Sequence, residues 1–408
     1  MENERLIPIM RFKKFTDDWE QRKLGDISDF ITKGATPTTY GFDWVENGIP
    51  FFRNDSIKDN VFVYGDYSYI TEEANTALNR SEIKADDILV AITGDIGKVG
   101  IVPKGIEKGN INQHMARVRI LNDAVPYFVY QYLSTDNIQR EYLKIKTGLS
   151  MPQLSLEQIR NTDIELPSYK EQEKIAKHFA NLDNLIALHQ RKCEALKQLK
   201  KGMLQKMFPR DGAEAPEFRF KGFTDAWEQR KLGDVIEDYV EKTTVEDQYP
   251  VLTSSQQKGI VLQDEYFSGE RVSQNGNIGY FVIPRGYFAY RSRSDNDVFV
   301  FNRNDAIDIG IISYFYPVFK PMGVDSNFLL RRLNYGLEEQ IKINSEGTGQ
   351  HVLSLKKFKN IIGVFPSYEE QKLIGNYFKE LDNFITLNQR KCDALKELKK
   401  GFLQKMFI

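Results

Sequence analysis

The chain writes two of its segments twice, and that duplication limits its architecture more than any other feature. FTDDWEQRKLGD at residues 15–26 returns as FTDAWEQRKLGD at 223–234, with Ala226 in place of Asp18 as the one change. A longer segment, Pro167–Phe208, returns as Pro366–Phe407 with 28 of 42 positions identical. Self-similarity at this level makes the chain two versions of one unit. Its 408 residues also exceed what one core usually holds. The order is motif, block one (27–166), long segment, motif, block two (235–365), long segment, which divides the chain at 1–166, 167–208, 209–365 and 366–408.

The long segments read as helices. Ser168 with Glu171, and Ser367 with Glu370, have the spacing of a capping box, the reciprocal hydrogen bonding of a helix start. Apolar residues then recur at spacings of 4 and 3: Ile175, Phe179, Leu182, Ile186, Cys193, Leu196, Met203 and Met207, with polar His189 and Lys200 as interrupted rungs. The second copy runs Ile374, Phe378, Leu381, Ile385, Cys392, Leu395, Phe402 and Met406, with Asn388 and Lys399 at the gaps. Such a heptad pattern predicts a coiled coil. A helix of about 36 residues spans about 54 Å and needs a partner helix to cover its stripe. The nearest partner is the other copy. Because the linker PRDGAEAPEF (209–218) is short and Pro209 ends the first helix, the pair is predicted to run antiparallel, with one block at each end. The predicted fold is therefore α+β: two β-rich domains at opposite ends of an antiparallel two-helix coiled coil, related by a pseudo-two-fold.

Both blocks are rich in short Val/Ile/Tyr/Phe runs between Gly, Pro, Asn and Asp turns, as in VFVYGDYSYI (61–70) and GYFVIPRGYFAYRS (279–292). The two blocks do not resemble each other convincingly; the best match pairs GDIGKVGIVPKG (94–105) with GNIGYFVIPRG (276–286). The apolar run 309–319 reads as a buried strand. Trp19 and Trp227 read as core anchors at the start of each domain, and Cys193 and Cys392 as small buried residues of the helical stripe.

The composition excludes several classes. No apolar run is long enough to span a bilayer, and MENERLIPIM lacks a basic start and an apolar centre, so the expected location is the cytoplasm. Two cysteines leave neither a disulfide framework nor zinc spacing, and four histidines supply a metal centre poorly. TGDIGKVG at 93–100 is not a phosphate-binding loop, because Ile92 stands where the first glycine is needed and Val99 where the hydroxyl is needed. No G-x-S-x-G, HExxH or Asn/Asp-Pro-Pro-Tyr/Phe motif occurs. No catalytic residue and no metal site are therefore expected.

What remains are polar loops laced with aromatics. In block one they offer Thr36, Thr38 and Tyr40, then Arg53 and Asn54, the turn residues Thr93, Asp95 and Lys98, and Asn112, Gln113 and His114. In block two they offer Ser254, Ser255, Gln256 and Lys258, then Tyr290, Arg291, Ser292 and Arg293, and Gln350 with His351. These residue types pair with base edges and phosphates. Charge does not favour such binding: block one holds 14 Lys/Arg against 19 Asp/Glu, a net of −5, and block two 14 against 16, a net of −2. Any basic face must be local. A scaffold whose end domains bind protein or other ligands is the alternative these loops leave open.

PSYKEQEKIAKHFANLDNLIALHQRK with its second copy, each after a block that opens W-E-x-x-x-L-G-D, resembles the specificity subunit of type I restriction-modification systems. The resemblance covers nearly the whole chain. It implies two target-recognition domains, each reading one half of a split site in double-stranded DNA, with the helices as a ruler across the spacer. It also implies a non-catalytic subunit, without cofactor, that recruits two methyltransferase subunits and, through the complex, restriction/translocase subunits. S-adenosylmethionine, ATP and Mg would then belong to those partners. Carried over by the resemblance, the GATP loop (Gly34–Pro37), TGDIGK and NQH face the DNA in block one, and TSSQ with YRSR in block two.

Overall fold

The computed structural model describes residues 7–64, 67–148, 152–209, 213–267, 276–347 and 350–407. Residues 1–6 of the N-terminal segment, 210–212 of the linker, 65–66 of the run 61–70, and 348–349 of the loop 346–354 lie outside the described residues. The chain forms two compact units, 1–190 with 390–408, and 191–389. Each unit contains one block, one copy of the opening motif, and a stretch of both long helices.

In unit 1 the motif strand Glu20–Lys23 pairs antiparallel with Asp163–Leu166, so the start and end of the block close on each other. A four-stranded sheet runs Thr32–Lys33, Met115–Val118, Ile88–Ala91, Val99–Ile101. Its middle strands are buried throughout; Ile88–Ala91 is wholly apolar, and in Met115–Val118 the one charged residue, Arg117, donates to Glu82 O. A three-stranded sheet runs Ser68–Ile70, Ile49–Phe52, Asn110–Ile111, the last pair parallel.

Unit 2 repeats this order. Glu228–Lys231 pairs with Ile362–Phe365; Ile236–Tyr239, Val318–Pro321, Phe288–Tyr290 and Phe301–Arg303 form the four-stranded sheet. Gly259–Leu262, Val251–Ser255 and Ile309–Ile312 form the other, again with its last pair parallel, extended here by Phe281–Pro284. The blocks therefore share one topology despite their divergent sequences.

Two sequence readings change. GDIGKVG turns between Ile88–Ala91 and Val99–Ile101, and its topological counterpart is the 291–300 connection between Phe288–Tyr290 and Phe301–Arg303, not GNIGYFVIPRG. The 309–319 run is two strands in different sheets, broken at 313–317, where Tyr314 is 60% exposed.

The long helices are Tyr169–Met207 and Tyr368–Met406, 39 residues each and about 58 Å at 1.5 Å per residue. Within unit 1, Ile175, Phe179 and Leu182 of the first pack in one core with Met406 and Phe407 from the end of the second. Contacts pair Phe402 with His178 and Lys399 with Asp183, so the two stretches run antiparallel. Within unit 2, Phe378 meets Phe208 and Asp382 takes Lys200, again antiparallel. The polar rungs Lys200 and Lys399 thus end in cross-helix ion pairs of 2.6 and 2.7 Å. Cys193 and Cys392 are buried on the stripe. Trp19 packs on Phe128 and Phe407, and Trp227 on Phe328 and Phe208, as core anchors.

The capping-box reading is corrected. Ser367 Oγ does accept from Glu370 N, but neither glutamate carboxylate turns back to its own cap. Glu171 instead takes Arg11 through two bonds of 2.7 Å, and Glu370 takes Arg219 at 2.9 and 2.7 Å. The next residue completes the clamp: Gln172 accepts from Val125 N and donates to Pro167 O, and Gln371 does the same with Asp325 N and Pro366 O. The duplicated Glu-Gln pair therefore locks motif, block and helix start together, with each carboxylate also favoured by the helix N-terminus.

The units differ at the position of His178. His178 is edged by Phe12, Phe179 and Phe402 with centroids at 5.8, 5.6 and 4.8 Å, and burial holds its pKa below the ordinary 6.5. Tyr377 occupies the corresponding place in unit 2, packed on Phe220. Above about pH 6.5 the imidazole is neutral in both folded and unfolded chains. As pH falls below that value, the unfolded chain binds the proton first, so unit 1 loses stability until the lower folded pKa is passed. The protection of the amides across residues 175–186, taken relative to their intrinsic exchange rates at each pH, is expected to fall between pH 7 and 5, and His178→Tyr to remove that slope. Residues 374–385 of unit 2 serve as the control.

Candidate nucleic-acid interface

In each unit the same set of connections gathers at one edge of the sheets. In unit 1 these are the loops after Ile49–Phe52, Ile88–Ala91 and Asn110–Ile111. Ile92 N donates to His114 O at 2.9 Å, Leu154 N to Ile92 O at 2.9 Å, and Gln153 bridges to Thr93 and Thr147. Unit 2 repeats the pattern: Ser292 N donates to Phe315 O at 3.0 Å, Leu353 N to Ser292 O at 2.9 Å, and Val352 bridges to Glu346. Arg293–Ser294 pairs with His351–Val352. Backbone pairing thus specifies where the loops sit and leaves their side chains free to differ.

Unit 1 joins six of the candidate residues into one network. Thr36 Oγ1 donates to Gln113 Oε1 at 2.5 Å, Gln113 Nε2 lies 3.1 Å from His114 Nε2, and His114 Nδ1 lies 2.7 Å from Thr93 Oγ1. Asn54 Nδ2 donates to Thr93 O at 2.8 Å, and Asn112 Oδ1 accepts from His114 N at 3.2 Å. Thr38 and Tyr40 are exposed on the single turn Pro37–Tyr40, which starts beside Thr36. Asp95 is exposed and its carbonyl accepts from half-buried Lys98 N, closing the turn. Arg53 is drawn away from this network, its guanidinium 5.2 Å from the Trp44 ring and 2.9 Å from Ser68 Oγ.

Unit 2 gathers its candidates around two adjoining clefts of about 480 and 440 Å³. Arg291, Arg293 and Tyr316 line both, Ser254, Ser255 and Gln256 the larger, and Gln350 the smaller. Arg291 is exposed and has no hydrogen bond or ion pair among the described residues. The Arg293 guanidinium lies 5.0 Å from the Phe315 ring, and Ser292 Oγ donates to Phe315 O. Gln350 donates to Asp295 at 3.0 Å, and His351 Nδ1 lies 2.8 Å from Asp297. Ser255 Oγ accepts from Gln257 N and Lys258 N, so it shapes the turn, while Lys258 Nζ lies 5.6 Å from the Tyr266 ring.

Tyr290 does not belong to this face. It is fully buried, its ring 4.9 Å from Phe301 and 5.2 Å from Phe358, and its hydroxyl donates to Leu353 O. As the last strand residue it points into the core, and exposure begins at Arg291. Sequence reasoning also missed members of the face. Tyr316 lies in the run read as a single strand, and Asn302, on the strand Phe301–Arg303, donates to Ser254 Oγ and Ser255 O. Polar Ser313 and the aromatics beside it were the available signal.

No cluster of His, Cys, Asp and Glu fit to hold a metal ion occurs among the described residues, and no helix among them is long and apolar enough to cross a membrane.

The chain is 25% identical over 95% of its length, and 91% of the relative's, to the type I restriction enzyme MjaVIII specificity subunit of Methanocaldococcus jannaschii. It is 29% identical to the type I restriction enzyme EcoBI specificity subunit of Escherichia coli, over 41% of this chain and 35% of that one. Its fold matches the crystal structure of a type I restriction-modification system S subunit from M. genitalium with a TM-score of 0.63, at 15% identity over 98% and 99% of the two chains. The family model for the type I restriction modification DNA specificity domain matches twice, at residues 16–198 and 224–397. With both matches together covering most of its length, the chain belongs to the type I restriction-modification DNA specificity family.

Proposed function

We propose that this chain reads an asymmetric, bipartite site in double-stranded DNA, one half-site per unit, and brings methyltransferase subunits and through them restriction subunits to it. The observation that carries the reading is that both units place the same loops at the same topological positions but arm them with unlike side chains: Asn54, Thr93 and His114 in one, and Ser254, Arg293 and Phe315 in the other. Equal readers would select a palindrome; unlike readers select two different half-sites.

The helices support the rest. Residues 191–207 of the first belong to unit 2 and residues 390–406 of the second to unit 1, so two continuous rods join the readers and act as the ruler. Each unit also exposes one copy of an apolar trio: Leu185, Leu188 and Leu398 in unit 1, and Phe384, Leu387 and Leu199 in unit 2. Two equivalent sets of exposed apolar side chains suit two copies of one partner. In this reading the chain works in the cytoplasm and does no chemistry itself. S-adenosylmethionine, ATP and Mg belong to the partners, which also supply phosphate contacts that two acidic blocks lack.

Arg291→Ala with Arg293→Ala tests the reading in the assembled complex. Discrimination at one half-site is expected to fall by about tenfold to a hundredfold, the range of lost arginine base contacts. The other half-site should be read as before. Equal loss at both, or no loss at either, contradicts the proposal.

A further inference from the structure

We infer that His114 is a positioning residue that sets which base unit 1 reads, by holding the Gln113 carboxamide with its free edge matched to adenine in the major groove. The inference rests on the reading of unit 1 as a DNA-facing unit and assigns the chemistry at one point of it.

The approach of two loops makes the arrangement. A Cβ on Gly34 would lie 1.9 Å from Ile111 O and 2.3 Å from Asn112 O, so only glycine lets the 34–37 loop come against the 112–114 loop. That contact brings Thr36 to Gln113. The Thr36 hydroxyl donates to Gln113 Oε1, which turns the Nε2 amide group toward His114 Nε2 at 3.1 Å. An amide nitrogen cannot accept, so the imidazole Nε2 is the acceptor and its proton sits on Nδ1. Nδ1 then donates to Thr93 Oγ1 at 2.7 Å, and Thr93 is itself held through its carbonyl by Asn54.

A carboxamide has two acceptor sites on its oxygen and two N–H donors. Thr36 uses one acceptor site and His114 uses one donor. Gln113 is exposed, so one acceptor and one donor remain side by side for an outside partner. Adenine presents the complement in the major groove, N6–H to donate and N7 to accept, whereas guanine presents two acceptors. Without His114 the amide nitrogen loses its acceptor, and the Thr36 hydroxyl, which can donate to the oxygen or accept from the nitrogen, no longer fixes the order of donor and acceptor. Unit 2 has no such device: Phe315 takes the topological place of His114 there.

The test is selection of bound duplexes from a randomised library by the full complex, with thermal melting run on each variant. Gln113→Ala and His114→Ala are both expected to relax the same adenine position by about tenfold or more, with the unit 2 half-site unchanged. His114→Gln, which returns an acceptor, is expected to restore the preference. An intact adenine preference in His114→Ala while Gln113→Ala abolishes it overturns the positioning role, as does a uniform loss of affinity for all sequences. A wild-type complex without any base preference at the unit 1 half-site overturns the DNA-reading assignment itself.

Discussion

Arg219→Met is expected to destabilise unit 2 by about 3 kcal/mol, because it leaves the Glu370 carboxylate buried without its cation. Glu370 is 1% exposed and Arg219 15%; two of the guanidinium's three hydrogen bonds go to that one carboxylate, which raises the arginine pKa above its ordinary value, and the third goes to Asp225 O. A surface ion pair would be worth far less. The cost comes from the orphaned charge and not from the lost attraction, so Arg219→Met with Glu370→Gln should recover most of the stability. Because the two units need not unfold together, the readout should be local. Amide exchange across residues 371–381 is expected to quicken about a hundredfold in the single variant, with residues 172–182 unaffected. No change would mean that the clamp does not hold the helix to its block.

Inserting four residues into each long helix, between 190 and 191 and between 389 and 390, is expected to lengthen the tolerated spacer by about one to two base pairs and leave both half-sites as they were. Four residues add about 6 Å of rise and rotate the helix by about 40° beyond a full turn. The rise corresponds to nearly two base pairs, and the rotation to about one. Placing the insertions on both helices keeps the antiparallel stripes matched, so Lys200 can still reach Asp382 and Lys399 can still reach Asp183. Duplexes differing only in spacer length, assayed for methylation by the complex, give the result. An unchanged optimum would show that something other than these helices sets the distance.

The two rods and the anchoring tryptophans were legible because their signals are local: a heptad stripe in which Ile175, Phe179 and Leu182 follow one another, and a motif repeated almost without change. The common topology of the blocks was not legible. It is held by short strands paired over long separations, such as Phe51 with Asn110 and Leu252 with Ile312, and these registers leave little trace in residue identity. For the same reason a glycine resemblance suggested the wrong partner for GDIGKVG. The candidate face was half legible. Residue type marked Arg291 and Gln113, but only the fold shows that Tyr290 turns inward while Tyr316 and Asn302 join the clefts. The Glu171 and Glu370 reading failed because an arginine far upstream in sequence outcompetes the local cap.

The most direct test of the whole account is the site itself. Randomised duplexes recovered with the complete wild-type complex should yield two unlike half-sites separated by a fixed unread spacer. Recovery of one continuous site, of two identical half-sites, or of no preferred sequence would contradict it.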